Sequence, residues 1–278
     1  MVGDFPLSDK IVLVTGGGSG IGLAFCKQAL SSGARVVIAD LRLTPAAEEL
    51  AAANKDSVAF LKCDVTNWED LEAVVPFSET TFGDVPDVYA ANAGIGENPR
   101  SSFWGDSETG KYTVLDINLV HPIKLTRIAI RTLLGKRKKG VVVVTSSIAG
   151  TNGHFGTPLY SASKHGVVGL VKSLAKAEQE ANVKVVCVCP GLVATPLLQG
   201  VMDGSANVSP DSTLMEPAEI ASRIKELVEQ GKYPGGTALG VYRTGEAEVV
   251  DDGSHSLLEE MAPTDLGSIR KIIEKDGS

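Results

Sequence analysis

The chain is short of everything that would mark a nucleic-acid, metal or membrane protein. Basic residues are in deficit: 26 Lys and Arg face 34 Asp and Glu, a formal net charge of -8. That balance gives no electrostatic footprint for a nucleic acid. The one basic cluster, Lys136 to Lys139, lies between Gly135 and Gly140 and reads as a solvated helix end before a strand. Cysteine is sparse, with four in 278 residues. Cys26, Cys63, Cys187 and Cys189 are not spaced as a metal-ligand set, so no metal is expected. Cys187 and Cys189 sit in an apolar run and are expected to pack as small, reduced hydrophobes, as suits a cytoplasmic protein. No apolar run approaches membrane-spanning length. The first residues, MVGDFPLSDK, lack the apolar centre of a signal peptide, so none is expected. Repeats and low-complexity linkers are absent too.

What is present is a strand-helix alternation. The apolar fraction of 43% and charged fraction of 22% suit one globular domain over 1–278. Short β-branched runs fall at 11–14, 35–39, 58–61, 88–91, 141–145 and 183–188. Helical patterns lie between them, at 21–31, 68–77, 112–134 and 160–181. Thr66-Asn-Trp-Glu69 reads as a capping box opening the second of these. Several runs are apolar throughout, as in strands covered on both faces. The expectation is an α/β fold, a Rossmann-type doubly wound parallel sheet of about seven strands with helices on both faces.

The first strand is followed by IVLVTGGGSGIG, which has five glycines in its last seven positions. Glycine weakens regular structure, so bare backbone must be needed there. A glycine turn between a strand and a helix admits a pyrophosphate to free N–H groups at the helix N-terminus. Asp40 ends the next strand, about where a carboxylate would hold the adenosine ribose hydroxyls. A carboxylate there repels a 2′-phosphate and favours NAD over NADP. Arg42 is two positions further on and would pull the other way if it faced the ribose.

The pattern Thr15-Gly16-x-x-x-Gly20-x-Gly22 resembles the short-chain dehydrogenase/reductase family. Further matches follow in order: Asn92-Ala93-Gly94, Asn118 in LDINLV, Ser147 in TSSIAG, Tyr160 and Lys164 in YSASK, and Pro190-Gly191 with Thr195 in PGLVATP. The likeness covers about residues 8–195. It departs at Ala91, where the family commonly has a first asparagine. It departs again at GGTALGVYRTGEAEVVDDG, an ending more similar to 15-hydroxyprostaglandin dehydrogenase-like members. The resemblance implies NAD contacts at Thr15, Gly16, Ser19, Gly20, Ile21, Gly22, Asp40, Leu41, Asp64, Val65, Asn92, Ala93, Gly94, Tyr160, Lys164, Pro190, Gly191, Val193 and Thr195. Asp64 would meet the adenine amino group, although it also reads as a helix-entry residue beside Thr66. NADP-preferring relatives often carry a basic residue where Ser19 stands.

The resemblance also implies a catalytic set of Asn118, Ser147, Tyr160 and Lys164. Tyr160 and Lys164 are four apart on one helix face, so an ammonium there would favour the phenolate of a residue whose ordinary pKa is near 10. Tyr160 would then take the alcohol proton as hydride leaves for the cofactor. Ser147 would bond the substrate oxygen, with Ser146 as the competing choice. Asn118 would hold a water leading from Lys164 to solvent, or else bond locally within its helix. Substrate contacts are expected at Ser147, Phe155, Tyr160 and Leu197. A lid with an apolar underside is expected over 197–215, and His154 and Trp104 stand near enough in sequence to touch substrate, cleft or partner. The helices carrying Asn118 and Tyr160 would pair copies into a homodimer or homotetramer. The tail at 254–278 has Leu266, Ile269, Ile272 and Ile273 on one helical face, to dock on its own or a neighbouring subunit. The leading expectation is an NAD-dependent oxidoreductase acting on a secondary alcohol or ketone with apolar parts. An NADP-dependent ketoreductase and a non-catalytic cofactor-binding scaffold are the alternatives.

Overall fold

The computed structural model describes residues 1–97, 102–105, 110–203 and 214–250. Within them strand and helix alternate: β1 (Ile11–Thr15), α1 (Gly20–Ser31), β2 (Arg35–Asp40), α2 (Pro45–Ala53), β3 (Val58–Lys62), α3 (Trp68–Glu72), α4 (Val74–Phe82) and β4 (Val88–Ala91). Then come α5 (Thr113–Leu115), a π-helical turn (Asp116–Val120), α6 (His121–Gly135), β5 (Gly140–Thr145), α7 (Pro158–Ser173), α8 (Ala177–Ala181) and β6 (Val183–Pro190). The last elements are α9 (Pro196–Asp203), α10 (Pro217–Glu229), β7 (Ala238–Arg243) and β8 (Glu246–Val249). The strands make one sheet in the order β3-β2-β1-β4-β5-β6-β7-β8, in which β7 pairs parallel with β6 and antiparallel with β8.

All five residues of β1 are buried, because successive side chains enter opposite cores. Val12 and Val14 pack with Phe25 of α1 and Ile220 and Leu227 of α10. Ile11 and Leu13 pack with Leu125 and Ile128 of α6 and Val167 and Val171 of α7. Cys187 and Cys189 lie in that second core as buried free thiols. β1 is the turning point of the sheet: its neighbours are β2 on one side and β4 on the other. Ligands of such sheets bind in the crevice that opens there, beyond the strands' C-terminal ends.

The doubly wound sheet agrees with the sequence, and the six apolar runs become strands with ends moved by at most two residues. Four details differ. The sheet has eight strands, because the charged β8, EAEV, returns from β7 through a turn at Gly245 (φ 80°). The helix expected over 68–77 breaks at Ala73 into α3 and α4. Pro76 has no N–H for the Glu72 carbonyl and is tolerated only in the first turn of a new helix. The capping box at Thr66 and Glu69 is replaced: Asn67 Oδ1 accepts the Glu69 N–H at 2.9 Å, while the Thr66 hydroxyl donates to Asp64 Oδ1 at 2.7 Å. The helix expected over 160–181 starts at Pro158 and divides into α7 and α8. The basic cluster ends α6 as expected, with Lys136 paired to Glu79 at 2.7 Å and Lys138 to Asp84 at 2.7 Å.

Two glycines of the turn are needed by the fold itself. A Cβ on Gly16 (φ 66°) would stand 2.8 Å from the Ala93 Cα, and one on Gly22 would stand 2.2 Å from the Gly16 carbonyl oxygen and 2.5 Å from Asn92 Nδ2. Gly22→Ala should therefore destabilise the protein by about 3 kcal/mol. Denaturant unfolding checks this, and an unchanged midpoint would contradict the packing.

Candidate active site

Most of the expected site residues lie at or just beyond C-terminal strand ends, while Asn118, Tyr160, Lys164 and Leu197 stand on helices. Thr15 ends β1 and Gly16 to Gly22 lead into α1; Asp40 and Leu41 follow β2; Asp64 and Val65 follow β3; Asn92 to Gly94 follow β4. Ser147 follows β5, and Pro190 to Thr195 follow β6. One sheet edge therefore collects them.

At the glycine turn, Ser19 is the N-cap of α1, but its side chain makes no capping bond and the first turn carries no acidic residue. The leading N–H groups are free to meet an anion. The Gly18 N–H donates to Asp40 Oδ2 at 2.9 Å, which aims that carboxylate across the mouth of the turn. A Cβ on Gly18 would meet the same oxygen at 2.8 Å. The turn is thus a bare-backbone cradle with a carboxylate beside it, and it fits a nicotinamide dinucleotide. Asp64 lies at the same edge, but its Oδ1 is engaged by the Thr66 N–H and hydroxyl, the local bonds of a helix entry. Thr195 accepts the Leu198 N–H at the start of α9. Met215 closes the lid's root, its N–H donating to the Leu192 carbonyl at 3.0 Å while its carbonyl accepts the Ala194 N–H at 2.9 Å. Leu197 is partly exposed on α9; residues 204–213 of the expected lid, and the expected tail helix at 254–278, lie outside the described residues.

At the other end, the Ser147 hydroxyl donates to the Pro190 carbonyl at 3.3 Å and accepts the Ala149 N–H at 3.1 Å, and it stands near enough to the Tyr160 phenol to lower its pKa. Ser146 turns the other way and donates to the Lys164 carbonyl at 3.0 Å, so of the two serines Ser147 faces the phenol. Lys164 is buried, with Nζ 2.9 Å from the Thr145 carbonyl and 5.6 Å from the centre of the Tyr160 ring. Burial lowers its pKa to about 8, which leaves the amine mostly charged at neutrality. Burial pushes the Tyr160 phenol above its ordinary value, with the Ser147 bond opposing. The expectation is that the ammonium, helped by the oxidised nicotinamide's charge, favours the phenolate; in the empty protein Lys164 is aimed at a carbonyl and burial dominates.

Asn118 lies in the π-helical turn, a distortion frequent at functional sites. Its Oδ1 accepts the Ile95 N–H at 2.9 Å and its Nδ2 donates to the Ile95 carbonyl at 2.8 Å. It therefore ties the helix to the loop after β4, and only one side-chain N–H is left over for a water. Gly94 sits between Asn118 and Lys164, since a Cβ there would be 3.3 Å from Asn118 Oδ1 and 3.7 Å from Lys164 Nζ.

Two residues escaped the sequence reading. His121 is completely buried, with Nε2 3.1 Å from the Thr15 hydroxyl and Nδ1 3.1 Å from the Ile117 carbonyl. A carbonyl only accepts, so Nδ1 carries the proton and Nε2 accepts from Thr15. Burial lowers its pKa to about 4 and keeps it neutral. Its signal was a lone His in an apolar helix, one turn after Asn118. Glu97 is the second. Its Oε1 accepts the Phe103 N–H at 2.8 Å and its Oε2 the Tyr160 N–H at 3.0 Å. No motif marks it. Trp104 covers Phe155, its indole N–H donating to the Phe155 carbonyl at 2.9 Å. His154 turns onto the start of α7, its N–H donating to the Ser161 hydroxyl at 3.2 Å.

Among the described residues no group of three or more His, Cys, Asp or Glu could hold a metal ion, and no helix is long and apolar enough to cross a membrane.

Comparison with known proteins agrees with this geometry. A family model described as short chain dehydrogenase matches residues 10–205. Momilactone A synthase of Oryza sativa subsp. japonica is 30% identical over 246 residues, 84% of this chain and 89% of that protein. L-fucose dehydrogenase of Bos taurus is 32% identical over 254 residues, 86% and 90% of the two chains. A 3-ketoacyl-(acyl-carrier-protein) reductase from Brucella melitensis, solved in complex with NADH, superposes with a TM-score of 0.74 at 28% identity and covers 85% of this chain and 98% of that one.

The Glu97 carboxylate sets the entry of the helix that carries Tyr160. Glu97→Gln should keep the fold, with a melting temperature within a few degrees, and lower kcat/KM about tenfold by misplacing the phenol. Steady-state kinetics on the folded variant check it; full activity would show that the clamp does not position Tyr160.

Proposed function

The chain belongs to the short-chain dehydrogenase family, oxidoreductases that act on alcohol- or ketone-type substrates with a nicotinamide cofactor, and on that footing we propose that it uses NAD to interconvert a secondary alcohol and its ketone. The observation that carries the reading is the Ser147–Tyr160 hydroxyl pair beside the buried Lys164 amine. When bound, the dinucleotide supplies the hydride acceptor or donor and, in its oxidised form, a positive charge. Gly16 to Gly22 hold its pyrophosphate on the free N–H groups of α1, and Asp40 takes the ribose hydroxyls. Ser147 bonds the substrate oxygen and steadies its charge as the carbon changes oxidation state. Tyr160 accepts the hydroxyl proton in oxidation and returns it in reduction. Lys164 keeps a positive charge below the phenol, and Asn118 and His121 hold the backbone around it.

The magnitude of the proton step is reasonable. A phenol near pKa 10 that must act near pH 7 needs about 4 kcal/mol of help. One positive charge about 4 Å away in a site of effective dielectric near 20 supplies roughly that. Burial adds to the demand in the empty site, and an oxidised dinucleotide would supply a second positive charge favouring the phenolate. The exposed Ile123 on α6 and Trp68 on α3, which line a shallow cavity with Val120 and Lys124, support pairing of copies into a homodimer or homotetramer through α6 and α7.

Two measurements test the reading. Alcohol oxidation should rise with pH through the neutral range, because it needs the phenolate, while ketone reduction, which needs the phenol, should not. Tyr160→Phe should lose a factor of about 10² to 10⁴ in turnover and retain cofactor binding; full turnover in that variant sinks the mechanism. Asp40 is tested separately by titrating NAD and NADP. The wild type should bind NAD at least about tenfold tighter, and Asp40→Ser should narrow the gap through a gain for NADP; equal binding of both by the wild type would overturn the assignment.

A further inference from the structure

Three exposed aromatic side chains meet beside the catalytic helix. Phe103 and Trp104 are edge-to-face with ring centres 5.0 Å apart, and Trp104 and Phe155 lie 4.7 Å apart at a 43° tilt. They are 48%, 56% and 82% exposed. A contiguous exposed apolar surface marks a place where something binds. This one is not an unanchored loop tip. The Trp104 indole N–H is spent on the Phe155 carbonyl, and Phe103 is fixed through Glu97 to the Tyr160 N–H. Phe155 itself stands in the segment joining Ser147 to Tyr160. The cluster is therefore attached to the segment between Ser147 and Tyr160 through Phe155, and to the start of α7 through the Glu97 carboxylate.

We propose that Phe103, Trp104 and Phe155 form a ring-binding wall of the substrate site, and that the substrate is a secondary alcohol or ketone borne on a rigid ring system. The inference deepens the oxidoreductase reading and rests on it. With the indole N–H already paired, what Trp104 offers a ligand is its apolar face. Faces and edges of aromatic rings reward a flat or alicyclic ring, which stacks without losing internal rotations, over an open chain that must give them up.

The test compares two alcohols of equal carbon number, tetralol and an open-chain secondary decanol, with NAD as cofactor. The wild type should prefer tetralol in kcat/KM. Trp104→Ala should lose about tenfold on tetralol and less than twofold on the decanol, and Trp104→Phe should keep most of the preference. A binding readout stands apart from turnover. The chain has two tryptophans, so in Trp68→Phe the fluorescence reports Trp104 alone, and it should respond saturably to tetralol in the presence of NAD. Equal losses on both alcohols, or no fluorescence response, overturn the wall whether or not the enzyme turns over. A change of oligomeric state in Trp104→Ala with the tetralol preference intact would give the surface to a second copy and overturn it too. A fluorescence response without turnover of either alcohol would leave the wall standing and remove the oxidoreductase reading beneath it.

Discussion

Asn92 holds three strand ends together at the point where the sheet reverses direction. Its side-chain N–H groups donate to the carbonyls of Thr15 and Gly16 at 3.2 and 3.3 Å, and its Oδ1 accepts the Thr145 hydroxyl at 3.1 Å. Parallel strands share no bond beyond their ends, and a crevice opened there must be braced by side chains or collapse. On one flank of Asn92 stands the glycine turn, which packs so closely on Asn92 and Ala93 that Gly16 and Gly22 have no room for a methyl group. On the other flank stands Thr145, whose carbonyl receives the Lys164 ammonium. The glycine turn and the Tyr160–Lys164 pair are thus referenced to one amide. The missing first asparagine, Ala91, costs little because these bonds come from the second.

His121 completes the brace from behind. The Thr15 hydroxyl has one proton to give. His121 Nε2 at 3.1 Å and the Ala90 carbonyl at 3.2 Å both stand as acceptors for it, and the oxygen's lone pairs are left for the Asn92 N–H at 3.1 Å. A charged imidazole would reverse that bond, and burial excludes the charge: its pKa falls to about 4. The helix carrying Asn118 is in this way tied to the same strand ends as the turn, once through Ile95 and once through Thr15. A π-helical turn between the two attachment points lets both side chains reach their partners from neighbouring turns of one helix.

The layout of strands, the glycines and the Tyr160–Lys164 pair were legible because each is a local pattern with a local cause: two-sided burial, steric exclusion of Cβ, and side chains one turn apart; Ser147 came from the family resemblance. What was not legible depends on distance in space. The strand β8 was hidden because an edge strand of alternating glutamates has no apolar run to announce it. Glu97 was hidden because its meaning lies in two N–H groups, one of them 63 residues away. Asn67 rather than Thr66 caps α3 because Asp64 takes the Thr66 hydroxyl, a competition between neighbours that propensity alone does not rank. The setting of Tyr160 was only half legible for a related reason. Sequence places a lysine four residues on, but not the Thr145 carbonyl to which that lysine turns.

That carbonyl bears on how such a site works. A phenol ionised at all times would be a base in an empty, wet pocket, exposed to protonation by solvent and to loss of its geometry. Here desolvation holds the proton on Tyr160, and the Lys164 ammonium that would oppose it is turned toward Thr145. On the mechanism proposed above, the deciding contribution is the positive charge that an oxidised dinucleotide would bring. Each pKa unit is about 1.4 kcal/mol, so ionisation of the base would follow from loading the site rather than from the empty protein, with Asn92 and His121 keeping the site's walls where they are.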